Sequence, residues 1–425
     1  MTVKISGREG NSVMLQVEVN LEGNMMEMED AILKAVNEAG ACATREALKR
    51  FDTNGDKIIV EEVKLTSKGE VKKIYETPYG SVELKRHVYQ SCKGGKVYCP
   101  LDEKAGIFNH STPRFAKMVS YKYAQSSAAE LSKDLEINHG RKVSRGFLQE
   151  LAELIGGIAQ TTEESWEYAL PVEKEKISTV TFSLDGTCVL MRGDGYREAM
   201  TGAISLYNDA AERMHTIYLG STPEYGKARF LERLEREILR VKKAYPDANY
   251  VGIADGAKSN WEFLENHANH KILDFYHATE YLAKASKGVC PIYKYKCKEW
   301  LNDACHRLKH ETGAAQALIK EMEILKENCV TKEASTNLQA AITYFTNQQH
   351  RMDYPSYLSK GFPIGSGVTE AACKVLIKQR LCRSGMKWKE KGAGIVLSLR
   401  ALVCTAGRFE EFWKKITQNR LAYSL

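Results

Sequence analysis

The sequence predicts an α/β protein: a mixed sheet interrupted by an all-helical insertion, preceded by an α+β module and a helical region. Three observations predict this. Two β-branched runs, Ser178 to Asp185 and Tyr250 to Asp255, each end on an aspartate and flank an amphipathic helix. Residues 277–360 read almost entirely as helix. Residues 1–110 instead combine one helix with short strands and tight turns.

At 425 residues the chain exceeds a single ordinary core, so two or three domains are expected. A hydrophobic fraction of 43% and a charged fraction of 27% fit a soluble globular protein. The net charge of +7 is modest for this length, but its distribution is not even. Between Ala371 and Arg400 eight basic residues face one acid, Glu390, so this stretch alone carries +7. The 11 cysteines are scattered and form no C-x-x-C. With no secretory signal after Met1, a reduced cytoplasmic compartment is expected. The apolar stretch 392–407 is broken by Arg400, too short for a bilayer, and reads as a buried helix, so no membrane partner is expected.

In residues 1–110, Met28 to Phe51 has helical periodicity at Ile32, Leu33, Val36, Ala39 and Leu48. Ile58–Lys64, Val71–Tyr75, Val82–Tyr89 and Lys96–Cys99 read as strands paired in hairpins around Thr77-Pro-Tyr-Gly80 and Gly94-Gly95. Residues 111–165 are expected to be helical. Pro113 starts a run rich in Ala, Lys and Leu to Glu136, Asn138-His-Gly140 breaks it, and Ser144 caps a second helix from Arg145 to Gly156. Arg141, Lys142 and Arg145 at that second start fit a helix-turn-helix DNA reader, and an ordinary helical hairpin fits equally well.

After an acidic linker, Thr161 to Lys176, residues 175–284 show strands at 178–184, 197–207 and 213–220. A helix from Tyr225 to Tyr245 follows, with Phe230, Leu231, Leu234, Ile238 and Val241 on one stripe. The Asp255 strand, a short helix Ser259–Asn266 and a strand Ile272–Phe275 complete the pattern. Three strands, helix, strand, helix, strand, helix is the element order of a ribonuclease-H-like core, which gathers acids at strand ends in mid-sheet. Residues 285–360 are then a helical insertion, and residues 361–425 complete the core with a Glu370 helix reaching about Cys382, an apolar helix Ala393–Val403 and an aromatic tail.

Three acids, Asp185, Asp255 and Glu370, are the candidate metal ligands and catalytic residues. Two strand-end aspartates and one helix-borne glutamate could hold two divalent cations about 3.5–4 Å apart, the spacing of in-line phosphoryl displacement. Carboxylates suit Mg²⁺, with Mn²⁺ able to substitute, because both favour hard oxygen donors. Asp185 is assigned as the shared ligand. A single Asp after a strand is more often a turn or cap residue, and Gly follows both aspartates; the three together outweigh that reading. Lys374 and Lys378 share the Glu370 helix face, placed for phosphate or for an ion pair with Glu370. Gly365-Ser-Gly367 could bring backbone N–H groups to a phosphate. In Asp274-Phe-Tyr-His277, His277 could donate to a scissile phosphate, support a ligand, or cap a helix, and Asp274 could stand in as a ligand. Arg380, Arg383, Lys387 and Lys389 extend a DNA-binding stretch in which Trp388 either stacks on an exposed base or belongs to the core. Asp52-Thr-Asn-Gly-Asp56 imitates a calcium loop, but Lys57 and Val63 occupy its Gly and Glu positions, so it reads as a turn.

Several blocks resemble, in order, those of the Kra group of bacterial insertion-sequence transposases. They are Ser183-Leu-Asp-Gly186, Tyr218 to Ala228, Val251 to Ala257, Leu273 to Ala278 and Pro363 to Lys374, with Thr77-Pro-Tyr-Gly80 and Arg141-Lys-Val-Ser144 before them. The resemblance spans nearly the full length and is weaker before residue 70. It implies an Asp-Asp-Glu triad at Asp185, Asp255 and Glu370, and a D-x-x-H element at Asp274 and His277 as in Mutator-like transposases. The expected function is a DNA transposase, a metal-dependent nuclease and strand-transferase acting on double-stranded transposon ends and target DNA, as a homo-oligomer of at least two protomers. The alternatives are a non-cleaving DNA-binding regulator on the same scaffold and a structure-specific nuclease that does not join.

Overall fold

In a computed structural model, described over residues 3–224, 227–289, 297–329 and 331–418, the chain divides into two compact units. One comprises residues up to Trp166 together with the segment from Phe409; the other runs from Glu167 to Arg408.

The first unit opens with an antiparallel pair, β1 (Val3–Glu9) and β2 (Ser12–Val17), and a long helix α1 (Met25–Lys49). Asn24 and Glu27 form a reciprocal capping box at the start of α1. A four-stranded antiparallel sheet follows in chain order: β3 (Ile58–Val60), β4 (Val63–Glu76), β5 (Ser81–Ser91) and β6 (Gly94–Tyr98). The calcium-loop mimic is an irregular segment bent at Gly55, where Asp52 accepts the His87 backbone N–H at 3.1 Å. Helices α2 (Pro100–Lys104), α3 (Pro113–Gln125), α4 (Ala128–His139) and α5 (Arg145–Thr162) complete the region. The single helix expected from Pro113 to Glu136 is two, because Ser127 and Glu130 make a capping box that starts a new helix. Gly140, at φ 60°, ends α4 in the left-handed region, and Ser144 caps α5 by accepting the Phe147 N–H at 3.3 Å.

The second unit is built on a five-stranded mixed sheet. Long strands β7 (Ile177–Met191), β8 (Gly195–Asn208) and β9 (Arg213–Ser221) form an antiparallel meander. Next come α6 (Ala228–Ala244), β10 (Asn249–Ala254), α7 (Lys258–Glu265), β11 (His270–Leu273) and α8 (Phe275–Val289). The sheet order is β11-β10-β7-β8-β9, with β10 parallel to both β7 and β11. The element order agrees with that read from the sequence; Tyr225, the expected start of α6, lies outside the described residues. The stripe on α6 buries Phe230, Leu234, Ile238 and Val241 against Phe182, Ile204 and Ile217 of the sheet. Central β7 is buried on both faces, which accounts for its unbroken β-branched and apolar run.

Helices α9 (Cys297–His310), α10 (Ala314–Glu327), α11 (Lys332–Gln348) and α12 (Tyr354–Ser359) follow, and α8 packs with α9, α10 and α11. The helical stretch thus begins at Phe275, close to the expected 277, because the strand expected to reach Phe275 ends at Leu273. After it, α13 (Gly367–Ala372) continues through a π-helical stretch, Cys373–Lys378, into α14 (Gln379–Leu381). Next is the buried α15 (Glu390–Cys404), and no single helix among the described residues is long and apolar enough to cross a membrane.

The last helix, α16 (Arg408–Gln418), corrects the expectation that residues 361–425 all complete one core. Its aromatic side chains close the first unit instead. Phe409 packs on Tyr121 at 5.4 Å, Phe412 on Trp166 at 5.8 Å and Trp413 on Phe108 at 5.8 Å, ring centroid to centroid. Nine of the described cysteines are free, and Cys297 is disulfide-bonded.

Candidate active site

Strand register sets out the acids. In the parallel ladders Gly252 pairs with Phe182 and Ala254 with Leu273. Carried forward along each chain, the same register puts Asp255 level with Asp185 on one side and with Asp274 on the other. Three carboxylates from three adjacent strands thus share one row, with neighbouring strands about 4.8 Å apart. The sequence reading ended the first strand at Asp185. In fact β7 runs on to Met191, paired through Asp185 and Gly186 with Thr201 and Met200 of β8. Gly186 does not break the strand because its ladder partner lies on a long hairpin strand that continues past it.

Each acid is held differently. Asp185 is half-buried; its Oδ1 accepts the Gly186 N–H at 2.7 Å, and its Oδ2 accepts the Cys373 thiol at 3.5 Å. Asp255 accepts the Ala257 N–H at 3.0 Å and Asn260 Nδ2 at 3.3 Å, both on Oδ1, which leaves Oδ2 without a partner among the described residues. Asp274 is fully buried. Its Oδ1 accepts the Tyr276 N–H at 2.7 Å, and its Oδ2 accepts the Ser366 N–H at 3.1 Å and the Ser366 hydroxyl. Asp274 therefore pins the 364–366 turn to the start of α8. This also corrects the phosphate-cradle reading of Gly365-Ser-Gly367, since the Ser366 N–H is already committed to a carboxylate.

Glu370 is exposed and comes from α13. The helix is anchored on the sheet next to Asp185. Thr369 shares a hydrogen bond with Ser183, and Cys373 donates to Asp185 from the first turn of the π-helical stretch. Such widened turns occur often at functional sites. The Glu370 carboxylate itself gathers with Asp274 and His277, their donor atoms lying within 4.8 Å of one another. Among the described residues this is the compact trio; Asp185, Asp255 and Glu370 do not meet at that distance. Asp274, read as a stand-in, therefore lies between the expected ligands: Asp185, Asp255 and Asp274 form the row, and Glu370 and His277 sit at its Asp274 end. His277 is half-buried, with Nδ1 3.5 Å from Glu280.

None of these carboxylates forms an ion pair with Lys or Arg among the described residues, and Lys374 and Lys378 are exposed without pairing to Glu370. Uncompensated carboxylate oxygens, with one imidazole beside them, make a donor set suited to hard divalent cations.

The other proposed DNA contacts divide. Arg383, Lys387 and Lys389 are exposed. Arg380 is only 1% exposed and lies 5.2 Å from the Trp388 ring centroid, which removes it from the DNA-facing set. Trp388 is wedged into the fold: Nε1 donates to the Leu381 carbonyl at 2.9 Å, and its backbone bridges Leu190 and Arg192. Of the two readings of Trp388, this geometry matches the core one. Within the first unit, Arg141 is 5% exposed, donates to the Thr77 carbonyl and pairs with Glu76 at 2.5 Å. It is a structural arginine and not a DNA contact. Lys142 and Arg145 remain exposed, Lys142 with Glu136 3.4 Å away.

The residues missed in sequence are Ser366 and Cys373. Both lie in the block Pro363–Lys374, but only the fold shows that they bind Asp274 and Asp185. No family model matches this chain, and no curated protein does.

Proposed function

We propose that this protein is a DNA transposase of an insertion sequence, similar to the Kra group, that cleaves the inverted ends of its element and joins their 3′ ends to target DNA. What carries the reading is the row Asp185, Asp255 and Asp274 across three neighbouring strands, with Glu370 delivered to its edge by a helix bonded to Asp185 through Cys373. The sheet order β11-β10-β7-β8-β9, with an antiparallel meander leading into parallel strands, supports the ribonuclease-H-like assignment of the second unit.

Asp185 and Asp255 would hold Mg²⁺ or Mn²⁺ along the row and Glu370 would do so at its edge, beside Asp274 and His277, with Asp274 also placing the loop before α13. The bound cations supply charge neutralisation at the attacking and leaving oxygens. Lys374 and Lys378 present positive charge on the helix that bears Glu370, where a DNA backbone would run. Lys142 and Arg145 are the exposed cations at the start of α5 in the helix-turn-helix-like region, for which end recognition is proposed. Binding through such contacts weakens as salt rises, because counterions are released.

The test is a cleavage and strand-transfer assay with Mg²⁺ on the DNA ends flanking the coding region. Wild type joins ends, and Glu370→Gln loses joining while still binding them. Joining by E370Q at the wild-type rate would remove Glu370 from the site. Cleavage without joining in wild type would favour the nuclease alternative.

A further inference from the structure

We infer that Tyr344, on α11, is a substrate-binding residue whose hydroxyl donates to a non-bridging oxygen of a phosphodiester held at the Asp255–Asp274 part of the carboxylate row. The inference rests on the phosphodiester chemistry proposed above and assigns a role to the helical segment, which had none.

The Tyr344 hydroxyl is buried and has no hydrogen-bond partner among the described residues. Buried hydroxyls almost always find one, so an orphan marks a place for a missing acceptor. Its ring is held on two sides. It stacks face to face on Tyr281 of α8, centroids 3.7 Å apart and planes 7° apart, and Lys284 lies 4.2 Å from the Tyr281 centroid. On the other side it lies against Gly256, the residue after Asp255; a Cβ there would come within 2.7 Å of Tyr344 Cε2. Glycine is therefore what lets the phenol approach this end of β10.

The surroundings select the acceptor. A phenol stays protonated at neutral pH and so offers a hydrogen, while the Asp255 and Asp274 carboxylates beside it supply a negative field. It makes no hydrogen bond to those carboxylates. An anionic oxygen enters such a field only in company with cations that the carboxylates bind. A phosphodiester bound together with such cations would bring that oxygen.

The test labels the full-length protein with 3-fluorotyrosine and follows it by fluorine NMR, the resonance missing in Tyr344→Phe identifying the residue. Ca²⁺ is added alone, then with dimethyl phosphate. The Tyr344 resonance is expected to move on adding dimethyl phosphate in the presence of Ca²⁺ and to return when Ca²⁺ is chelated. An unmoved resonance overturns the inference, as does a shift complete with Ca²⁺ alone, which would mean an ordered water or the cation is the partner. Y344F keeps the stacked ring and removes one hydroxyl. Its cleavage turnover should fall by about tenfold or more, and its affinity for DNA ends in Ca²⁺ should fall with it; wild-type turnover in Y344F also overturns the inference. If wild type itself cleaves no DNA, the transposase reading fails, and the fluorine shift with dimethyl phosphate still decides the role of Tyr344.

Discussion

Three acids of the first unit and the site acids of the second have opposite fates. The three are matched to cations or strong donors. Glu76 takes Arg141 at 2.5 Å, Asp102 takes the Tyr75 hydroxyl at 2.5 Å and Arg86 at 3.4 Å, and Glu46 takes Arg8 at 2.8 Å and Lys49 at 2.7 Å. In the second unit Asp185, Asp255 and Asp274 line one row with Glu370 at its Asp274 end, and no lysine or arginine pairs with any of them among the described residues. Like charges brought together without compensation work against folding, and such arrangements persist where function needs them. The contrast teaches that a structural acid is recognised by its partner and a functional one by its lack of a partner.

The largest expected effect breaks the second half of that contrast. Asp255→Asn removes one charge from the row while keeping an oxygen acceptor for Ala257 and Asn260. Cleavage of transposon ends should fall by about 10³-fold, while the melting temperature in EDTA stays level or rises. Ca²⁺ at a hundred times Kd should stabilise wild type by about 2.7 kcal/mol, seen as a raised melting temperature, and leave D255N little changed. A D255N protein that unfolds at lower temperature in EDTA and still cleaves would show Asp255 to be a structural turn residue.

Next in size is the converse in the first unit. Arg141→Ala leaves Glu76 facing a buried gap, strips a donor from the Thr77 carbonyl and removes the guanidinium from the Phe115 ring, 5.2 Å away. Breaking a buried pair from one side costs roughly 3–5 kcal/mol. Urea denaturation should show that loss, and below the new transition the salt dependence of end binding should match wild type. A reduced salt slope with unchanged stability would restore Arg141 as a phosphate contact.

This pair also marks what was legible in the sequence. Strand and helix order in the second unit was readable because β-branched runs and the α6 stripe have different periods, and the acids could be placed because they follow those runs. The fate of a single arginine was not readable. Arg141 beside Lys142 and Arg145 has the composition of a basic patch, yet Glu76, its partner, lies 65 positions away on β4. Arg380 was opaque for the same reason, its ring partner Trp388 having been counted with it as a DNA contact. The break between α3 and α4 was present as Ser127-x-x-Glu130 and was overlooked amid helix-forming residues. Tyr344 carries no local mark at all, since a tyrosine within a helix acquires meaning only when Gly256 and Tyr281 are folded against it.

The smallest effect probes the first unit's compensated acids by pH. Hydrogen bonds from Arg8, then Lys49, hold the Glu46 carboxyl down at about 2, below its ordinary 4.5. Because the folded value is the lower one, the unfolded chain takes up the proton first as pH falls. The stabilisation is therefore complete above about 4.5 and lost progressively as pH drops toward about 2. Arg8 is 61% exposed, so solvent screens the pair and its contribution is a small one. Glu46→Gln should flatten the stability profile by that amount across this window and match wild type's slope above it. Salt at 1 M should shrink the difference between the two, since the Debye length there is about 3 Å. An E46Q protein whose acid profile overlays wild type would mean that exposed partners confer no net stability here, and would confine the compensation argument to the buried pair of Arg141 and Glu76.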